Sequence, residues 1–157
     1  PLPLIGGMHR FPEDLTGCVD PSRVQFDLFK DLARDHPMDM LNLVRLRDTA
    51  LYPDGHEHAG TTMTGAEAYG LYGAGTAPIL DRIGGEIVWR GGFEATVIGP
   101  AGESWDHVFI ARYPDAHAFL DMISDPAYRA AVMHRQAAVR TSRLIRCAPS
   151  EPGGTFK

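Results

Sequence analysis

The sequence predicts an α+β domain: a four-stranded antiparallel sheet with helices on one face. Two observations carry this. The stretch from Trp105 to Cys147 reads as strand, helix, second helix, strand, with a turn or cap signal at each joint. The residues from Met38 onward supply a preceding half of similar layout, so the order is a leading helix and then βαββαβ. Within the later half, Trp105, His107, Phe109, Ala111 and Tyr113 alternate with Asp106, Val108, Ile110 and Arg112, the period of a two-faced strand.

The elements follow in order. Residues 1–19 mix Pro, Gly and polar groups without a period and read as an extended arm. Asp20-Pro21 starts a helix carrying Val24, Leu28 and Leu32 at i, i+4 and i+8, and His36-Pro37 ends it. Met38–Arg47 is a strand with Met40, Asn42, Val44 and Leu46 on one face and Leu41, Leu43, Arg45 and Arg47 on the other. Residues 48–64 form a long connection containing the turn signature Tyr52-Pro53-Asp54-Gly55, of a length that often serves as a lid. Thr64 and Glu67 have capping-box spacing and open the next helix, which Gly70, Gly73, Gly75 and Pro78 should kink or break near residues 73–78. Gly84-Gly85 closes it. Glu86–Ile98 reads as a strand with a bulge or barrel corner at Gly91-Gly92. Tyr113-Pro114-Asp115 stops the next strand and caps a helix bearing Phe119, Leu120 and Ile123. Asp125-Pro126 then caps another, with Tyr128, Ala131, Val132 and Arg135 along one stripe.

A chain of 157 residues is one domain with room for a proper core: residues 1–37 as arm and helix, 38–147 as the core, 148–157 as a tail. The formal charge of −5, with scattered arginines, argues against a nucleic-acid surface. No apolar run approaches a membrane span, and the opening Pro1-Leu2-Pro3-Leu4-Ile5 lacks the basic flank of an export signal. A cytoplasmic protein is expected, with Cys18 and Cys147 as thiols rather than a disulfide. With helices on one face of the sheet, the other face carries either the row of Leu41 and Leu43 or that of Met40 and Val44, and both rows are too apolar to face water. A second copy should cover it, and two sheets packed face to face make a dimeric α+β barrel, hence a homodimer.

Met40-Leu41-Asn42-Leu43, Gly65-Ala66-Glu67-Ala68-Tyr69, Gly84-Gly85, Trp105-Asp106, Tyr113-Pro114, Asp125-Pro126-Ala127-Tyr128 and Arg135-Gln136-Ala137-Ala138 occur in an order that resembles the domain of unknown function 1330 family, within the dimeric α+β barrel superfamily. The leading helix and the long loop at 48–64 resemble a longer subgroup. The resemblance implies a ferredoxin-like protomer and a dimer, and it brings no reaction. Superfamily members range from cofactor-free monooxygenases and isomerases to haem enzymes and stress proteins, so function has to come from the site.

No established catalytic signature is present. His56-Glu57-His58 is the most ligand-like cluster: two imidazoles on an extended backbone can chelate Zn²⁺ or Ni²⁺, with His9, His107 or a partner chain completing the set, and a polar loop tip is the plainer reading. Arg135 sits on an apolar stripe and needs a carboxylate (Asp106, Asp125 or Glu67) or a bound anion, while His134 beside it should point to solvent. Asn42 must find partners in its apolar row, either in a loop or in a pocket beside Tyr69 and Tyr72. His107, flanked by Trp105 and Phe109, is a candidate general base or a hydrogen-bonded core histidine. Tyr69, Tyr72, Trp89, Trp105, Tyr113 and Tyr128 serve as core, dimer or pocket lining. A pocket is expected between the sheet and the helical segment 115–139, with Asn42, Tyr69, Tyr72, His107, Tyr128 and Arg135 on its wall. Three functions fit: an enzyme without organic cofactor acting on a small apolar or aromatic carbonyl compound, through His107 and an oxyanion held by Arg135 or Asn42; a non-catalytic binding or stress-associated dimer; or a metal or haem protein using His56 and His58 or His107.

Overall fold

The computed structural model describes residues 17–156, so most of the N-terminal arm, His9 included, lies outside the described residues. Helix α1 (Arg23–Asp31) is followed by β1 (Met38–Leu46), α2 (Gly65–Arg82), β2 (Glu86–Gly91), β3 (His107–Tyr113), α3 (Ala116–Ser124), α4 (Pro126–Ala138) and β4 (Val139–Cys147). The strands form one antiparallel sheet in the order β2-β3-β1-β4, which is the ferredoxin-like arrangement.

Strand β1 lies at the centre and sets the two faces. Met38 pairs with Tyr113, Met40 with Ala111, Asn42 with Phe109 and Val44 with His107, so all of these point to the helix side. Met38, Met40, Ala111 and Tyr113 are buried there with Ile79, Ala116 and Met122, and Phe109, Phe119 and Tyr128 pack around them. Leu41, Leu43, Val108 and Ile110 take the opposite face, joined by Ile145 and Trp89. Nothing among the described residues is packed over Trp89 and Ile145 closely enough to bury them; they remain 49 % and 45 % exposed. The sheet therefore has one buried and one apolar, open face.

Capping chemistry places the helices. Thr64 and Glu67 form the capping box at the start of α2, with Glu67 Oε1 accepting from the Thr64 N–H at 2.8 Å and Thr64 Oγ1 from the Glu67 N–H at 3.0 Å. Those bonds hold the Glu67 carboxyl below its ordinary range. Gly84, at φ +79°, ends the helix as expected of a residue that must turn left-handed. Asp115 and Asp125 cap α3 and α4, with Pro126 opening α4.

Four elements differ from expectation. Helix α1 is capped by Ser22 and not Asp20, because the Ser22 hydroxyl reaches the Gln25 N–H. Its stripe of Val24, Leu28 and Leu32 is largely exposed, and Phe29 faces the core against Phe119 instead, under the guanidinium of Arg146. Helix α2 runs unbroken through Pro78: the carbonyl that Pro78 deprives of a donor belongs to Ala74, which is exposed and can bond water. Strand β2 ends at Gly91, and its irregularity falls at Val88 between Ile87 and Trp89. The Trp89 ring folds over Gly91, where an added methyl would approach it to 2.5 Å. Strand β3 begins at His107, two residues later than the alternation from Trp105 suggests.

No disulfide joins Cys18 and Cys147, and no helix among the described residues is long and apolar enough to cross a membrane.

Gly65, at the start of α2, lies against the backbone that leaves β1. A Cβ on Gly65 would collide with the Arg47 carbonyl oxygen, so only glycine fits without a shift of the backbone. Gly65→Ala should cost about 1–3 kcal/mol in urea unfolding. Gly70→Ala, at an exposed helix position with open space around it, should instead stabilise by up to about 1 kcal/mol. Equal effects of the two would refute the contact.

Candidate functional site

Between the sheet and α2–α4 the structure brings four of the six expected side chains into one chain of rings. His107, held on the helix face by its pairing with Val44, stacks on Tyr69 with centroids 4.9 Å apart and planes at 21°. Tyr69 meets Tyr72 at 5.4 Å, one helical turn along α2. Tyr72 reaches across to Tyr128 of α4, with hydroxyl oxygens 3.3 Å apart. Gly75 lets the two helices approach this closely: a Cβ there would stand 3.0 Å from that of Ala131.

Burial dominates the electrostatics. It raises the Tyr69 hydroxyl, with Tyr72 adding to the effect and Arg135 and Arg90 opposing it. It raises Tyr128 similarly, aided by Tyr72. It lowers His107, against the pull of Asp106 and with the help of Arg90. The phenols therefore stay neutral donors and His107 a neutral imidazole at ordinary pH. Among the described residues, neither the His107 ring nor the Tyr69 hydroxyl has a hydrogen-bond partner. A neutral base and a neutral donor side by side can hold a carbonyl compound and move a proton on it.

The remaining two of the six are used differently. Asn42 lies on the same face, but its Nδ2 donates to the Met40 carbonyl of its own strand at 2.9 Å. Arg135 donates to the Val19 carbonyl at 2.6 Å and to Ser142 Oγ at 3.2 Å, and stands 3.8 Å from Asp20. The carboxylates expected for Arg135 are engaged elsewhere: Asp106 accepts from the Leu46 N–H, Asp125 caps α4 and pairs with Arg82, and Glu67 is in the capping box. Arg135 acts on the tyrosines through its charge and ties the segment before α1 to β4.

The 48–64 connection is anchored. Ala50 and Leu51 donate to the carbonyls of Met63 and Ala137, and Ala50 and Tyr52 are buried with Ala68, Ala137 and Ala138, against Tyr69. His56 and His58 ring Tyr52 together with His134, which is turned inward and not to solvent: its Nδ1 lies 2.7 Å from the Tyr52 hydroxyl. His107 is elsewhere, so His134 is the third imidazole here. His56 Nδ1 accepts the His58 N–H at 3.0 Å, which puts the neutral ring's proton on Nε2, where a metal would need a lone pair. Among the described residues no group of three or more His, Cys, Asp or Glu is arranged to hold a metal ion.

The comparisons with known proteins bear on this fold directly. The model of the domain of unknown function DUF1330 matches residues 59–146. The chain belongs to the DUF1330 family. A crystal structure of a protein of unknown function from Rhodopseudomonas palustris is 52 % identical, with a TM-score of 0.79, covering 86 % of this chain and 98 % of that one. A methylated form of that protein matches at 54 % identity and a TM-score of 0.81, over 88 % and 99 % of the two chains. A cofactor-independent oxygenase from Streptomyces nogalater is similar at 17 % identity and a TM-score of 0.45, covering 74 % of this chain and 96 % of that one, too distant to carry chemistry over. No curated protein matches the chain. Family membership thus fixes the fold and leaves the activity to the site.

The sequence did not point to Tyr52 or to Arg90. The signal for the first was Tyr52-Pro53-Asp54-Gly55 just before His56 and His58; the second depends on the bulge and has none.

Burial, then the charges of His56 and His58, lower His134 below its ordinary value near 6.5, against Glu57. A histidine so depressed binds its proton more tightly unfolded, so its stabilisation is full above the unfolded value and is lost as pH falls through the window below it. The urea midpoint should drop between about pH 7 and 5, and His134→Gln should make that drop shallower. An unchanged slope would remove the imidazole cluster from the acid response.

Proposed function

We propose that the protein is a homodimer, joined through its open sheet faces, in which each protomer binds a small apolar or aromatic carbonyl compound at His107, Tyr69, Tyr72 and Tyr128. The reaction favoured is proton transfer at the carbon next to the carbonyl, of isomerase type and without an organic cofactor. The observation that carries it is the stacked, half-buried pair of His107 and Tyr69, both neutral and both unpartnered among the described residues. In this reading His107 takes the proton, the C–H electron pair moves into an enolate, and the Tyr69 hydroxyl donates to its oxygen. Return of the proton to the enolate oxygen gives the enol, and in a substrate with a conjugated double bond its return to the γ-carbon completes the isomerisation. Arg135 binds no ligand oxygen in this reading, since its donors are occupied, and acts on Tyr69 and Tyr128 through its charge alone.

Deuterium uptake at the α-carbon of an aryl ketone, followed by NMR in D2O, tests this. Wild type should exceed buffer, and His107→Ala should lose about 10²–10⁴ of the rate. Because His107 is depressed, the rate should be flat at neutral pH and fall only on acidification. Resonance shifts without exchange would instead make this a binding protein, the second reading that the same four side chains support.

The dimer rests on the apolar row of Leu41, Leu43, Val108, Ile110, Ile145 and Trp89. Light scattering should give twice the chain mass, and Ile110→Asp should shift it toward one. A wild-type monomer at micromolar concentration would overturn the assembly.

A further inference from the structure

Strict alternation along β2 from Ile87, which packs under the helices, would turn Trp89 inward and Arg90 to the open face. The bulge at Val88 reverses that parity. Trp89 pairs with Ile110 on the open face, and Arg90 pairs with Phe109 on the helix face. His107 is two residues from Phe109 on that face, hence a diagonal neighbour of Arg90 within reach of a long side chain. The guanidinium lies near enough to act on both His107 and Tyr69. Arg90 has neither a hydrogen-bond nor an ion-pair partner among the described residues and is exposed at the edge of the sheet. A one-residue insertion that re-aims a cation into a site of neutral groups is a recurring use of bulges beside binding sites.

We propose that Arg90 holds a carboxylate of the ligand, so that the substrates are small aromatic or apolar oxo acids. This rests on the site reading above and adds the anionic class to it. The ligand's carboxylate lies at the outer edge of β2, where the planar fork of the guanidinium offers two parallel donors. Its apolar body runs inward over Tyr69 and Tyr72. Its carbonyl comes to His107 and the Tyr69 hydroxyl. No carboxylate of the chain competes for Arg90 among the described residues, which distinguishes it from Arg112, paired with Asp39 at 2.7 Å, and from Arg135.

Phenylpyruvate and its methyl ester, titrated into the full chain by NMR or calorimetry, test this. Wild type should bind the acid about tenfold or more tightly than the ester, and added salt should reduce that preference. Arg90→Gln should bring the acid down to the ester's affinity and leave the ester unchanged, while Arg90→Lys keeps part of the preference. Equal binding of acid and ester by wild type, or a preference surviving in Arg90→Gln, overturns the assignment and leaves the site standing on the ester's binding. Binding of neither compound overturns the site and Arg90 together. Because Arg90 is exposed, Arg90→Gln should keep the wild-type urea midpoint, and a lowered midpoint would mean that the residue supports the fold and not a ligand.

Discussion

The structure depends on the two-residue period of β1. Hydrogen-bonded on both edges, this strand fixes which residues of β3 and β4 face the helices and which face away. Its pairing of Val44 with His107 is what brings the imidazole under α2, and its pairing of Leu41 with Ile110 and Ile145 is what leaves an apolar surface on the other side. A slip of one residue would exchange the two outcomes. The Asp106 carboxylate, accepting the Leu46 N–H at 2.7 Å, and the Asp106 N–H, bonded to the Val44 carbonyl at 2.7 Å, resist such a slip just where the site begins.

Against that regular frame, the departures place chemistry. Regular pairing at Val88 would send Arg90 to the open face, and the bulge sends it toward His107. The close approach allowed by Gly75 brings Tyr72 to Tyr128. Burial then works on these groups in one sense: Tyr69 and Tyr128 are held protonated and His107 unprotonated. Such a site has no charged base. Arg90 and Arg135 bring positive charge to Tyr69, while Asp106 and Arg90 act on His107 in opposite senses.

Much of the fold was legible in the sequence because it is written in local chemistry. Thr64 with Glu67, Asp115, and Asp125 with Pro126 are caps whose bonds close within three residues, and alternation from Met38 to Leu46 survives intact. Packing decided the rest. The outward stripe of α1 was misread because Phe29, a single large ring, outweighs three smaller side chains in choosing the buried side. Pro78 did not break α2 because the carbonyl it leaves unpaired is open to water. In the site, the tyrosines and His107 were identifiable from their elements. The partners of Arg135 were not, since Val19 and Ser142 are remote in sequence. Arg90 was hidden for a different reason: a bulge moves parity by one, and no residue type announces it.

Helix α4 joins the separate regions of the molecule. Tyr128 on its first turns belongs to the ring chain of the site, Ala131 to the contact with Gly75, His134 to the Tyr52 cluster, and Arg135 to the segment before α1 and to β4. These four lie on adjoining positions of one face at helical spacing. A shift of α4 that loosened Tyr128 would therefore also strain the His134 bond to Tyr52, which sits against Tyr69 in the same buried cluster as Ala137 and Ala138. The anchored 48–64 segment and the site are thus one packing unit. Acid, which charges His134 beside Tyr52, also charges His107, and both events oppose the packed state because burial leads the shift of His134 and of His107 alike. The two responses run in the same direction although His134 stands on α4 and His107 on β3.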